Sequence, residues 1–356
     1  MTFTIINLDR LRMQNNTIGH IDKFIVHYVG NKNNAGGARF SDELTATTNV
    51  EEHLIRLLNN FKTEELYHFH FVPTLEFNPV YQFITNIFQD GSSFVEQSKN
   101  CGRYLYDKST HPNIKSGELC IAYIKDCQLN DKVVDCIALF KSENKETVLK
   151  IDSIADGYAL TDVVGLNIHK LDKGCLIFNT DQKSGFLVSI IDNTNKSNEA
   201  RYWRDDFLSV QPKKNEYHQT HNFLGIAKQF VTQQLPESFE ITKADQINFL
   251  NKSVDYFKKN EVFNKAEFEE TVFGDSNVIE SFRAFDQNYR QSNELELPDN
   301  FQISSPAVKK QARVFKSVLK LDKNFDIYIH GNKELIEKGI EKDGRKFYKI
   351  YYEEEN

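Results

Sequence analysis

The sequence has no run of about 18 consecutive apolar residues, the length that a helix needs to cross a membrane. Its first residues, Met1 to Arg12, also lack the basic head and apolar stretch of an export signal. Low-complexity tracts are absent, and hydrophobic side chains make up 40% of the 356 residues, which is enough to form packed cores. We therefore expect a globular protein that is neither embedded in a membrane nor exported.

Cysteine is sparse, with five residues, and no two of them have the Cys-x-x-Cys spacing. An odd number without paired spacing does not suggest a disulfide framework. The cysteines are Cys101, Cys120, Cys127, Cys136 and Cys175. Their apolar or helical surroundings favour reduced, structural thiols and a cytoplasmic location.

The common signatures of catalysis are missing as well. There is no Walker A sequence, no Gly-x-Ser-x-Gly elbow and no dinucleotide fingerprint, so we expect no catalytic residues and no cofactor. His68 and His70 could share one side of a strand, but no third ligand has a recognisable spacing, and the same holds for His218 and His221. We therefore expect no metal site. A metal-dependent nuclease built from scattered acidic residues would show no motif, and it stays open as an alternative.

The formal net charge is −7, so any contact with nucleic acid must be local. One marked basic cluster lies near the end of the chain, where Asp322 is the only acidic residue among six basic ones. The six are Lys309, Lys310, Arg313, Lys316, Lys320 and Lys323. On a helix Lys309 and Arg313 share a face, and on a strand Lys316 and Lys320 share a side. The cluster could therefore face DNA phosphates, or it could be a solvated face that balances the acidic helices before it.

Secondary-structure patterns predict an α+β protein. A strand at Asp22 to Val29 is followed by helical patterns, the first of them beginning with Asn49 as its cap. From Gly117 onward, short β-rich segments separated by polar turns predict a largely antiparallel sheet. Residues 1–235 are thus predicted to form an N-terminal α+β domain, which ends near Pro236.

Residues 236–356 are predicted to form a second domain. Three capped, amphipathic helices come first, at Thr242 to Lys259, Asn264 to Phe273 and Ser276 to Tyr289. A basic helix then starts at Ser305-Pro306, and a β-hairpin turns at Asp322-Lys323-Asn324. A brief helix at Lys333 to Lys338 and a final strand at Lys346 to Tyr352 complete this small helix-plus-hairpin unit.

Four long segments, in order along nearly the whole chain, resemble the 37-kilodalton nucleoid-associated protein family of bacteria. They are Ser109 to Cys127, Leu171 to Thr180, Glu199 to Leu208 and Ala307 to Gly331. The resemblance is stronger to the branch with long, lysine-rich C-termini. It implies localisation to the nucleoid, association with DNA and effects on topoisomerases, in a family without established catalytic residues.

The charge cluster and the resemblance together predict a non-catalytic, nucleoid-associated protein. It would bind the DNA phosphate backbone through the six basic residues, largely without reading sequence, and influence DNA topology. An adaptor that acts through a protein partner such as a topoisomerase is the alternative, because acidic helices at Glu267 to Glu280 would suit a basic partner. A two-fold homodimer is the default assembly.

Overall fold

The computed structural model describes residues 17–61, 65–194, 202–313, 315, 318–321, 323–328, 335–352 and 354. The chain divides into two compact units, Met1–Lys213 and Lys214–Asn356. The units thus divide after Lys213, whereas the sequence places a domain boundary after Leu235. The first unit is called unit 1 and the second unit 2.

Unit 1 combines a large sheet with three α-helices in its described part. In chain order its elements are β1 (His20–Val29), β2 (Ala38–Arg39), α1 (Glu51–Leu58), β3 (Leu66–Phe69), α2 (Pro79–Gln89), α3 (Phe94–Lys108), β4 (Gly117–Leu129), β5 (Lys132–Ser142), β6 (Lys145–Ile154), β7 (Gly157–Leu166), β8 (Lys173–Phe178), β9 (Leu187–Asp192), a π-helix (Tyr202–Leu208) and β10 (Val210–Pro212).

Eight of these strands form one sheet in the order β10-β3-β9-β8-β5-β4-β1-β2, and every neighbouring pair is antiparallel. Side chains alternate between its two faces. On β4, Leu119 and Ile121 enter the core that also contains α2 and α3, whereas Cys120 and Ala122 enter the core that contains α1. Both faces of the central strands are therefore buried, and their sequences are apolar almost throughout.

The π-helix packs into the same core as α2 and α3. Trp203, the single tryptophan of the chain, is fully buried there, with its ring centroid 5.0 Å from that of Phe207. Asn78 connects this segment to α2, because its amide donates to the Leu208 carbonyl and its oxygen accepts from the Tyr81 N–H at the start of α2. The segment that ends at Leu208 is thereby held against α2 in one core.

Unit 2 begins with helices and ends with two hairpins. Its elements are α4 (Glu216–Gln229), a π-helix (Phe230–Gln234), α5 (Leu235–Ser238), α6 (Lys243–Lys259), β11 (Val262–Asn264), α7 (Lys265–Val272), α8 (Ser276–Ser292), β12 (Asn300–Gln302), α9 (Ser305–Ala312), β13 (Val318–Leu321), β14 (Phe325–Tyr328), β15 (Ile336–Ile340) and β16 (Lys346–Ile350). The α+β class and the three consecutive helices α6, α7 and α8 confirm the predictions from periodicity.

An aromatic cluster forms the centre of unit 2. Phe223 of α4 is fully buried, and its ring centroid lies 4.2 Å from that of Phe263 and 5.1 Å from that of Phe268. Phe230 contacts Phe282 in the same core, with the centroids 5.2 Å apart. Helix α4 therefore supplies core residues to unit 2, which explains why this unit begins near residue 214.

The C-terminal part differs from the prediction in one element. Ile336–Ile340 is a strand paired with Lys346–Ile350, so the brief helix predicted at Lys333 to Lys338 is wrong over its described residues. The connection turns at Gly344, which has φ +84, a conformation that glycine adopts without strain. An Asp-Gly turn between alternating runs is a hairpin signal that outweighs the short helical pattern.

Candidate nucleic-acid interface

Helix α9 presents three cations on one outward arc. Ala307, Val308 and Gln311 are buried, whereas Lys309, Lys310 and Arg313 are exposed. At about 100° of rotation per residue, the three cations fall within roughly a third of the helix circumference, opposite the buried face. No acidic side chain in the described part of the chain lies within ion-pair distance of Lys309 or Arg313. Arg313 is the residue that ends the helix.

Contacts with α4 hold this helix in place. The Ser304 N–H donates to Thr220 Oγ1 at 3.0 Å, and both residues are buried. The Gln311 amide lies 3.2 Å from the His221 carbonyl and 2.9 Å from His221 Nδ1. Because α9 is fixed from its buried side, its basic face has a defined orientation within unit 2.

The other predicted basic residues are only partly described. Lys323 is exposed in the turn between β13 and β14. Lys316 lies outside the described residues. Lys320 belongs to β13, and the strand register places it opposite Asp326 of β14. Asp326 follows the basic stretch from Lys309 to Lys323, in which Asp322 is the only acidic residue. The structure thus brings together Lys309, Lys310 and Arg313, and the shared face of the other lysines stays a prediction.

Two aromatic side chains of α4 lie beside the basic helix, and no sequence pattern predicts their position there. Lys310 Nζ lies 5.8 Å from the ring centroid of Tyr217, and this ring stacks on His221 with the planes 10° apart. Burial, followed by the positive fields of His221 and Lys214, lowers the pKa of His218. Some ninety residues separate these side chains from α9, so only the packing of α4 on α9 reveals that they are neighbours.

Charge is distributed unevenly within unit 2. Residues 305–352 contain twelve lysines and arginines against six aspartates and glutamates, whereas residues 214–304 contain nine against fifteen. The final segment therefore carries a formal charge of +6, although the chain as a whole carries −7. A locally basic surface on an acidic protein is thus compatible with contact to phosphates.

Two carboxylates of the acidic helices are neutralised internally. Glu269 is buried and accepts from Arg283 at 2.7 Å, and the buried Asp286 pairs with Lys265 at 2.6 Å and Arg290 at 2.7 Å. Other acidic side chains of this region are exposed to solvent: Glu267, Glu270, Asp275 and Glu280. The acidic surface of α7 and α8 is therefore smaller than the sequence suggests.

A second charged cluster is buried in unit 1. Lys141 Nζ lies 3.3 Å from Glu143, whose carboxylate also contacts Lys173 at 3.1 Å and accepts from the Tyr202 hydroxyl at 2.9 Å. Lys173 also pairs with Asp192 at 3.4 Å. Burial lowers the pKa of Lys141 and raises that of Tyr202. Since both lysine side chains are almost fully buried, this cluster ties strands together and offers no surface to a partner.

Within the described residues, no three His, Cys, Asp or Glu side chains are grouped so that they could hold a metal ion. His68 donates from Nδ1 to the Phe186 carbonyl at 2.7 Å, so this ring nitrogen makes a structural hydrogen bond. A search of the described helices finds none that is long and apolar enough to cross a membrane.

Comparison with known protein families finds a match over most of the chain. The family described as "Nucleoid-associated protein YejK" matches residues 25–345. The chain belongs to this family. No curated protein matches it. The match extends over most of both units, so it covers most of the buried sheet of unit 1 as well as α9 and the hairpin of β13 and β14, and it ends before β16.

Membership in the YejK family confirms the resemblance seen in the sequence and implies association with the nucleoid. The family is not a known enzyme family. All four segments that carry the resemblance lie inside the matched range. They correspond to β4, to β8, to the π-helix at Tyr202–Leu208 with the residues before it, and to α9 with its first hairpin.

Proposed function

We propose that this nucleoid-associated protein binds DNA directly through the exposed face of α9 and thereby influences DNA topology. The observation that carries the proposal is the convergence of Lys309, Lys310 and Arg313 on one outward arc, within a segment of net positive charge. Lys316, Lys320 and Lys323 would extend this surface along the hairpin.

The proposed contacts are to phosphate rather than to bases. The exposed arc carries two lysines and one arginine, and these side chains bind phosphate oxygens whatever the base sequence. Helix α9 has eight residues and packs on α4 through its buried side, so it offers DNA only a short contact surface. We therefore expect affinity that depends strongly on salt and only weakly on sequence.

The test is neutralisation of the arc, with Lys309→Gln, Lys310→Gln and Arg313→Gln combined. Each lost phosphate contact should make the slope of log affinity against log salt concentration less negative by about 0.9, so the triple variant should flatten it by nearly 3. Fluorescence anisotropy with a labelled duplex, at salt concentrations of roughly 50 to 200 mM, measures this slope.

A matched control changes the net charge equally at another site. Lys252, Lys258 and Lys259 are exposed cations of α6, and their combined change to Gln should leave the slope within error of the wild type. Equal weakening by both triple variants would mean that overall charge governs binding, and unchanged binding by the α9 variant would refute this interface. A further triple variant of Lys316, Lys320 and Lys323 tests the extension along the hairpin.

The second candidate function is an adaptor that reaches DNA through a protein partner such as a topoisomerase. The exposed carboxylates Glu267, Glu270, Asp275 and Glu280 favour it, because they offer a basic partner an acidic surface. Purified protein that fails to shift DNA at low salt, but retains a topoisomerase in a pull-down, would decide for the adaptor. Cleavage of DNA by the purified protein with Mg²⁺ would instead contradict the non-catalytic function in both forms.

A further inference from the structure

Strands β6 and β7 form a long hairpin that takes no part in the eight-stranded sheet. Ten residue pairs, from Lys145 with Leu166 to Ile154 with Gly157, make up its ladder. We call Lys145–Leu166 the arm. An isolated two-stranded hairpin is marginally stable in water, so an arm of this length calls for a surface to pack on.

The two faces of the arm differ in chemistry. Since paired residues point to the same side and alternate along each strand, the register assigns every side chain to a face. The apolar face carries Leu149, Ile151, Tyr158, Leu160, Val164 and Leu166. The opposite face is mixed, with Glu146, Val148, Lys150, Asp152, Ile154, Ala159, Thr161 and Val163, and on it Lys150 pairs with Asp152 at 2.7 Å.

The apolar face is exposed over its whole length. Its six large side chains are 40% to 76% exposed, with Leu149 at 68% and Tyr158 at 76%. Together they present on the order of 700 Å², close to the roughly 800 Å² that each partner buries in a stable protein–protein interface. Monomeric proteins rarely expose an apolar patch of this size.

The base of the arm is fixed to unit 1. Lys145 pairs with Glu118 of β4 at 2.6 Å. Just before it, the backbone N–H and the side-chain amide of Asn144 both donate to Asp172, at 2.7 and 2.8 Å. The arm therefore extends directly from β5 out of an anchored base.

We infer that the apolar face of the arm binds the same face of a second copy of this chain. A two-fold pairing brings identical patches together, so the whole patch is covered by a partner of matching size and chemistry. DNA is a poor occupant, because the one cation on this face, Lys145, is already paired with Glu118. One acidic side chain, Asp162, lies on the face beside Leu149.

The first test combines Leu149→Thr, Ile151→Thr and Leu160→Thr in the full chain, since threonine keeps a high preference for strands. Sedimentation velocity across micromolar concentrations should give the wild type twice the 41.4 kDa of one chain, and the triple variant the mass of one chain. The matched control, Val148→Thr with Val163→Thr on the opposite face, should stay dimeric.

Far-UV circular dichroism should show that all three proteins are equally folded, because the substituted side chains are exposed. A wild type with the mass of one chain throughout would overturn the inference. So would a triple variant that remains dimeric, or a control that dissociates to the same extent.

A second test needs no disruptive change. The five native cysteines are buried, and burial raises the pKa of Cys101 and Cys120 to about 12, so a maleimide should react with an introduced surface cysteine first. Asp162→Cys lies on the apolar face and Thr161→Cys on the other. On raising the protein concentration, the reaction rate should fall several-fold at residue 162 alone. Equal rates at both positions, or protection at both, would contradict pairing through the apolar face.

Discussion

At the scale of single residues, His27 of β1 shows how the fold fixes a protonation state. Its ring is 1% exposed, and Nδ1 accepts from the Ser41 N–H at 3.1 Å. Nε2 faces Ser98 Oγ at 3.0 Å, and that hydroxyl donates to the Val95 carbonyl. Ser98 must therefore accept from Nε2–H, so the partners select the neutral tautomer with one ring proton.

Acid should weaken unit 1 through this histidine. Burial, followed by the positive charges of Lys99 and Arg103, lowers the pKa of His27 from 6.5 to about 4. Between these values the unfolded chain binds a proton that the folded chain rejects, so the free energy of unfolding falls as pH falls. From pH 7 to 4.5 the loss from this one group should be about 2 kcal/mol.

The measurement compares the wild type with His27→Asn in urea at both pH values. Asparagine can retain an acceptor for the Ser41 N–H, but it does not titrate. The variant should be the less stable protein at pH 7, and the difference should narrow by about 2 kcal/mol at pH 4.5. If the difference in unfolding free energy were the same at both pH values, the folded protein would take up a proton on His27 by pH 4.5, as the unfolded chain does.

At the scale of elements, the start of α6 is stabilised by a reciprocal capping box. Thr242 Oγ1 accepts from the Asp245 N–H at 3.1 Å, and the Asp245 carboxylate accepts from the Thr242 N–H at 2.9 Å. Helix α6 contributes Phe257 to the aromatic core, and its Ile247 packs against Leu321 of the C-terminal hairpins. Its first turn thus supports both the core and the hairpins.

Thr242→Ala should lower the stability of unit 2 by about 1 kcal/mol, because the Asp245 N–H loses its acceptor and the Asp245 carboxylate loses the Thr242 hydroxyl. Thr242→Ser keeps the hydroxyl and should restore most of the loss. Asn49→Ala is the control at a position where the sequence predicts a cap and the structure has none. Urea denaturation measures the free energy of unfolding of the three variants. If Thr242→Ala were as stable as the wild type, hydrogen bonds to water would fully replace those of the capping box.

Element prediction succeeded where periodicity and capping agreed. The stripe of α6 with its Thr242 cap predicted the observed Lys243–Lys259 within one residue. It failed where a local signal was ambiguous. Helix α1 begins at Glu51 with Val50 as its N-cap, although the spacing of Asn49 and Glu52 resembles a capping box. Short patterns of this kind fit more than one conformation, and tertiary packing chooses between them.

At the scale of the whole molecule, the two compact units predict how the chain can be divided. A fragment of residues 214–356 keeps α4 and with it Phe223 and Phe230, which are fully buried in the aromatic core. A fragment of residues 236–356, the second domain predicted from sequence, lacks both. Removing one such ring typically costs about 3–5 kcal/mol, so losing both is comparable to the roughly 5–15 kcal/mol that stabilises a whole domain.

We therefore expect the longer fragment to unfold cooperatively on heating and the shorter one to lose its structure gradually. Far-UV circular dichroism during thermal unfolding distinguishes the two. A cooperative transition in the fragment of residues 236–356 would instead support the boundary after Leu235. This comparison decides between the two divisions directly.

The candidate site could be predicted only in part, because some of its residues are brought together by packing between elements that are distant in the sequence. The charges of Lys309, Lys310 and Arg313 and their helix were visible in the sequence, because neighbours along a helix share a face. The positions of Tyr217 and His221 beside that helix depend on the packing of α4 against α9, which no local pattern encodes. Likewise, β-rich segments after Gly117 were visible in the sequence, but the pairing of β6 with β7 and their exclusion from the sheet were not.

The single tryptophan lies in only one of the two units. Trp203 is fully buried in unit 1 beside Phe207, and residues 214–356 contain no tryptophan. Fluorescence excited at a wavelength that tryptophan absorbs and tyrosine does not therefore comes from unit 1 alone. The native chain thus carries an intrinsic optical reporter: a red shift marks the opening of unit 1, while circular dichroism follows both units.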